Sequence, residues 1–259
     1  MTTDSHTRSP RAATARFAAE PIESGGTPES VWNGHTAFPH LDVHTCPELL
    51  VVAPHPDDEV LGVGALASEL AARGVPVSIL SVTDGEASHP DSPTVTPTEL
   101  AERRRTESLR AADRLGLPAA TPLGLPDGRV ADHETDLATT IAGHLRPGAW
   151  CAAPFRHDGH PDHEAAGRAA ADAARRSGAV LIEYPVWLWH WSRPGDPSVP
   201  WHRARTFHPT RHRQRCKRDA VSEFTSQITD LSPEPADRAI LPRHVLDRLL
   251  RDHETVFVP

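Results

Sequence analysis

One stretch constrains the chain more than any other: Val51-Val52-Ala53-Pro54-His55-Pro56-Asp57-Asp58-Glu59. It begins in a short apolar run, Leu49 to Ala53, of the kind that forms a strand buried on both faces. It ends on three acids that open a helical pattern, Val60 to Arg73. A strand that turns directly into a helix places its loop at the carboxyl edge of a parallel sheet, where α/β proteins bind ligands. His55 and Asp58 stand three residues apart on that turn, so both can face one point. A neutral imidazole and a carboxylate at such a point suit a divalent metal, zinc above all. Asp57 is left beside them, free to handle protons. Acids at a helix start also cap orphan N–H groups and favour the positive end of the dipole. The loop alone offers two ligands where a zinc site takes about three.

The remaining ligand belongs to a second strand end. Ala149 to Pro154 is another buried-strand pattern, followed by His157-Asp158-Gly159-His160-Pro161-Asp162-His163-Glu164 and a helix to Arg176. Two strand ends that each carry a His/Asp cluster and each open a helix favour a metal over coincidental capping. Between and after them the chain alternates. Strands are expected at Val77 to Val82, near Thr121 to Leu125 and at Val180 to Tyr184; helices are expected at Pro97 to Leu115, closed by Gly116, and at Thr135 to Leu145. Such alternation implies right-handed βαβ units, hence an α/β fold: a three-layer αβα sandwich around a Rossmann-like, mainly parallel sheet. A late strand at Thr206 to Pro209, helices at Arg211 to Phe224 and Leu241 to Arg251, and a strand at Glu254 to Val258 complete the expectation. Residues 1–26 read as a disordered tail without the apolar segment of a secretory signal, and residues 27–259 as a single domain.

With Thr83-Asp84-Gly85-Glu86, Leu100-Ala101 followed by Arg104 and Glu107, Leu125-Pro126-Asp127-Gly128 and Ser226-Gln227 in that order, the two His/Asp motifs resemble the PIG-L/LmbE family of zinc-dependent N-deacetylases. That family's motifs read A/P-H-P-D-D-E and H-P-D-H, and both are complete. The resemblance runs from about Thr27 to the C-terminus. It implies that His55, Asp58 and His163 bind Zn2+ or another divalent ion, with Asp57 as general base. It implies a His160 that, if protonated, stabilises the tetrahedral oxyanion and an Asp162 that fixes a histidine tautomer. Arg104 is expected to reach the sugar, and Asp127 to accept hydrogen bonds from its hydroxyls. By their residues alone, Arg104 reads as a solvated partner of Glu107, and Asp127 equally as a turn former before Gly128. The implied reaction releases acetate from a small N-acetylated amino sugar or glycoconjugate, in a cytoplasmic bacterial enzyme. An amidase for a larger acyl group or a thiol-sugar conjugate, and a non-catalytic sugar-binding module, are the alternatives.

Composition narrows the partners. The net charge is -8 with no basic block, which argues against nucleic acid. No run approaches the ~18 apolar residues of a membrane span. Three cysteines without paired spacing argue against a disulfide framework. The 26 prolines and the single lysine, Lys217, read as compositional bias. The aromatic run Tyr184 to Trp191 reads either as a hydrophobic lid or as a sugar-stacking wall. Oligomeric state leaves no readable trace.

Overall fold

The computed structural model describes residues 19–35 and 38–259. A seven-stranded sheet runs in the order β3-β2-β1-β4-β5-β7-β6. Its strands are β1 (Leu49–Ala53), β2 (Val77–Ser81), β3 (Thr121–Pro122), β4 (Trp150–Pro154), β5 (Val180–Tyr184), β6 (Ala204–Phe207) and β7 (Glu254–Phe257). The first five are mutually parallel, whereas β7 is antiparallel to both β5 and β6. The mainly parallel αβα expectation therefore holds.

The helices follow from local signals. Helix α1 (Asp58–Ala72) leaves the β1 turn. Helix α2 (Pro97–Leu115) starts at a capping box in which Thr96 and Glu99 satisfy each other's backbone N–H, and ends on Gly116 in the left-handed region. Helices α3 (Glu134–Gly143), α4 (Pro161–Ser177), α5 (Arg211–Val221) and α6 (Arg243–Leu249) complete the longer set. Alternate residues of β1 serve opposite layers. Leu49 and Val51 pack in the core that contains α1 and the end of α2, and Leu50 and Val52 in the core built from the alanine face of α4 with Leu137 and Ile141 of α3.

Two expectations shift. Strand β3 is two residues long because Gly124 turns left-handed at φ 67°. Leu123 and Leu125 nevertheless donate to the Ser81 and Val82 carbonyls, so the chain stays beside β2 and carries Asp127 over the sheet edge. The disordered tail expected for residues 1–26 lies outside the described residues up to residue 18. Its remainder is ordered: Ile22–Ser24 forms a 3-10 turn, and the Glu20 and Pro21 carbonyls face His190 Nε2 at 3.1 and 3.3 Å.

Helix α1 is interrupted. Val63 adopts φ -138°, ψ 20° between two glycines, and a Cβ on Gly62 would run into the Tyr184 ring. The break frees backbone groups inside the core, where each must find a partner. Glu254 accepts from Ala65 N at 2.9 Å and Leu66 N at 2.8 Å. Lys217 donates to the Leu61 carbonyl at 2.8 Å and to Glu254 at 2.7 Å. The lone lysine is thus a buried structural cation rather than a compositional remnant. Removing one partner of a buried ion pair costs about 3–5 kcal/mol. Lys217→Met should lower the unfolding free energy by about that much in urea titration. Lys217→Arg should recover little, because a planar guanidinium cannot replace a compact ammonium between two close acceptors. A Met variant within about 1 kcal/mol of wild type would contradict this account.

Candidate metal centre and active site

The loops after β1, β2, β3, β4 and β5 all emerge at one edge of the sheet, and a cavity of about 370 Å³ opens there. The β1 turn contributes His55, Asp57 and Asp58 to its lining, and the start of α4 contributes His160 and His163.

The two motifs converge on one oxygen. Asp58 Oδ2 lies 3.2 Å from His55 Nδ1 and 3.2 Å from His163 Nε2. Both imidazoles and the carboxylate are buried. His163 Nε2 makes no hydrogen bond although it is fully enclosed. Its other nitrogen, Nδ1, is held by Asp158 Oδ2 at 2.8 Å, the arrangement that orients a metal-ligating histidine. An orphaned imidazole nitrogen beside a shared carboxylate fits a cation position. Nitrogen and carboxylate donors of this kind suit a divalent transition ion. Two other triplets with ligand atoms within 4.8 Å of one another share His55: His55, His160 and His163, and His55, Asp127 and Asp162. The donors thus gather around His55, and the group could bind a divalent metal.

Charge tells the same story. Burial alone would lower His55, but Asp127, Asp162 and Asp58 surround it and raise it well above the usual histidine range. Burial also opposes charge on His163, yet Asp58 and Asp158 lift it to about 9. The cavity floor holds more carboxylate than cation. Asp58 feels burial upward, but the two imidazoles outweigh it and hold it below the carboxylate range.

Asp57 differs from its neighbour. Burial pushes it up to about 7 against the opposing pull of Arg104. Its backbone is strained: φ is 140°, the only positive value for a non-glycine residue among those described. Glu59 holds this turn by accepting from Asp57 N at 3.1 Å, and is itself raised to about 8 by burial and by Asp57.

Several expected roles change. Arg104 borders the cavity, but it is buried and donates to Gly85 O, Pro56 O and Asp57 Oδ2 at 2.9, 2.8 and 3.0 Å. These contacts use both terminal nitrogens within the protein, while the buried Nε has no hydrogen-bond partner; no solvated Arg104–Glu107 pair forms. Glu107 instead pairs with Arg103 and accepts from Ser226 N and Oγ at 2.8 and 2.6 Å. Asp127 directs Oδ1 to His55 Nε2 at 3.0 Å and accepts from Ala87 N through Oδ2 at 2.8 Å, so much of its capacity is used within the protein. Asp162 does face a histidine, with Oδ2 3.4 Å from His55 Nε2, while Gly128 N and Val130 N donate to it. In the metal-free chain, burial beside His163 and His55 lowers His160 to about 3. As N-cap of α4 it accepts from Asp162 N through Nδ1, which leaves the single proton of the neutral ring on Nε2.

Asp158 carries no sequence signal that singles it out, and Glu59 is legible only as the last acid of the first motif. Asp158 is fully buried, holds His163 and accepts from the backbone N–H of Val186, Trp187 and Leu188 at 2.9 Å each. Its place before Gly159 looks like a turn, which hides it. Of the aromatic run, Trp187 and the neighbouring Val186 line the cavity, whereas Trp189 packs edge-on against Trp32.

Comparison with known proteins agrees with this geometry. The sequence profile described as PIG-L: GlcNAc-PI de-N-acetylase matches residues 50–174. Diacetylchitobiose deacetylase of Thermococcus kodakarensis is 31% identical over 139 residues, 51% of this chain and 50% of that protein. The chain therefore spans about half the length of this curated relative. The conserved protein TT1542 of Thermus thermophilus is 32% identical with a TM-score of 0.53, covering 70% of this chain and 80% of that one. A teicoplanin deacetylase in a zinc-inhibited form shares the fold, with a TM-score of 0.59 at 22% identity over 82% of this chain and 97% of its own.

The raised Asp57 has a measurable sign. In chelator-treated protein the native carboxyl, near 7, binds protons more tightly than the unfolded one at 3.8. Its ionisation therefore subtracts stability as pH rises from about 4 to about 7. Asp57→Asn removes that ionisation and keeps an acceptor for Arg104. The variant should resist urea better than wild type at pH 8, and the gap should narrow toward pH 4. A gap that is constant or reversed across this range would refute the raised pKa.

Proposed function

The chain belongs to the PIG-L family, and from that premise we propose that it is a zinc-dependent hydrolase removing the acetyl group from an N-acetylated amino sugar or sugar conjugate. The observation that carries this reading is the meeting of two separate strand-end motifs at Asp58 Oδ2, with Asp57 beside it. Relatives named as deacetylases of acetylated saccharides support the substrate class. No helix among the described residues is long and apolar enough to cross a membrane. Cys46, Cys151 and Cys216 are unpaired, which supports a reducing, cytoplasmic setting. The catalytic unit is residues 27–259, with residues 20–26 packed beside it.

His55, Asp58 and His163 would hold the ion. A divalent metal there acidifies water and polarises an amide carbonyl. Asp57 takes the proton of an attacking water and passes it to the leaving amine. Burial raises this carboxyl in the metal-free chain, and a cation held beside it would favour the ionised form that accepts a proton. Arg104 and the strained turn fix the direction in which Asp57 points. His160, with its proton on Nε2, donates to the carbonyl oxygen as negative charge develops. Asp162 and Asp158 orient His55 and His163 through their outer nitrogens. Asp127 holds His55 and keeps lone pairs toward the cavity for a sugar hydroxyl or the substrate N–H.

Elemental analysis after mild dialysis should show about one zinc per chain, and His55→Ala should lose metal and acetate release together. Asp57→Asn should retain the metal and lose about 10²–10⁴-fold in kcat on a proven acetylated sugar. His160→Ala should also retain metal and lose rate, with a pH–rate profile that keeps its acidic limb, because the base is untouched. Near wild-type turnover by Asp57→Asn would remove Asp57 from the role of base.

A further inference from the structure

The cavity is not lined as a site for a bare monosaccharide would be. Apart from the polar cluster around His55 and Asp57, with Ser88 and Gln227 at its margin, its large side chains are Ile22, Leu61, Val186, Trp187, Ile240 and Leu241. Among these six only the Trp187 indole carries a hydrogen-bonding group. A sugar hydroxyl pressed against such a surface loses water without gaining a partner. All but Leu61 lie outside the segment matched to the family, residues 50–174.

This wall is built, not loosely draped. Asp237 accepts hydrogen bonds from Ser92, Thr94 and Ser232 at 2.5, 2.7 and 2.5 Å, tying the segment before Ile240 to the loop after β2. Leu241 N donates to the Gln227 carbonyl at 2.8 Å. The Ile22 carbonyl lies 3.2 Å from His244 Nε2, just beyond the same segment. The apolar side chains are therefore held in place by polar contacts behind them, which favours a preformed apolar subsite.

Resting on the deacetylase reading, we propose that the physiological substrate carries an apolar group of several carbons next to its amide-bearing sugar, seated against Ile22, Leu61, Val186, Trp187, Ile240 and Leu241. The group is an aglycone, since the amide itself carries acetyl. The shared chemistry is an alkyl or aryl surface within reach of the metal-binding donors. Each methylene transferred from water to such a wall contributes roughly fourfold in binding, so three of them give about fiftyfold.

The test compares three compounds on the zinc-loaded full chain, each below its micelle threshold: methyl N-acetylglucosaminide, octyl N-acetylglucosaminide and methyl N-octanoylglucosaminide. We expect kcat/KM for the octyl glycoside to exceed the methyl acetyl parent by about tenfold or more. A preference for the N-octanoyl compound in its place would overturn the proposal. Ile240→Asn and, separately, Ile22→Asn should each reduce that ratio by about fivefold or more; both positions are only partly buried, so the fold should tolerate them. Octyl compounds no better than the parent, or a ratio unmoved in both variants, would overturn the proposal. Calorimetric binding to the chelated chain separates the two layers of the argument. Tighter binding of the octyl glycoside without hydrolysis of any compound would keep the apolar subsite and reject the deacetylase reading. Hydrolysis of the parent without octyl preference would do the reverse.

Discussion

Burial of carboxylates around His55 is the constraint on which the rest of this structure depends. An ionised group taken out of water is costly unless charges and hydrogen bonds replace its solvent. Here each acid is matched by backbone. Asp58 accepts from His55 N, Asp127 from Ala87 N, Asp162 from Gly128 N and Val130 N, and Asp158 from three consecutive N–H groups after Pro185. The loops at the sheet edge take their shapes from the acids they solvate. The same acids raise His55 and His163. A floor that already draws protons onto its imidazoles offers a divalent cation in exchange for protons.

This dependence explains what is legible in the sequence. Strand β1, helix α2 and strand β5 have the ends that the residues predict, because hydrophobic runs, a capping box and glycine stops are local signals. His55, Asp58 and His163 are legible as a set because two strand-to-helix turns repeat one chemistry. The contacts of Arg104, Asp158 and Glu59 are not. Nothing local distinguishes an arginine that will grip Asp57 from one that will meet solvent, and Arg103, Arg104 and Arg105 are consecutive. Asp158 is defined by partners from the loop after β5. The motif places His160 at the cavity but does not reveal its proton affinity, which depends on burial and on two other imidazoles that only the fold brings near.

Chemistry and selectivity have different origins along the chain. The donors come from the first half of the sheet and from α4. The wall facing them comes chiefly from residues near 22, 186 and 240. A helix turn at Thr225–Ile228, gripped by Glu107 of α2, links the two. Arg104 and Glu107 therefore act from one helix, the first on the turn bearing Asp57 and the second on the segment bearing Gln227. Substitutions in the late segments can alter what the cavity accepts without disturbing the turn that bears Asp57 and Asp58.

The buried position of Lys217 has one practical consequence. Its side chain is 2% exposed, and it is the chain's only lysine. Acylating reagents, aldehydes and lysine-directed crosslinkers thus find no side-chain amine on the folded molecule. Covalent capture through lysine would report opening of the region where α1 breaks, against a silent background.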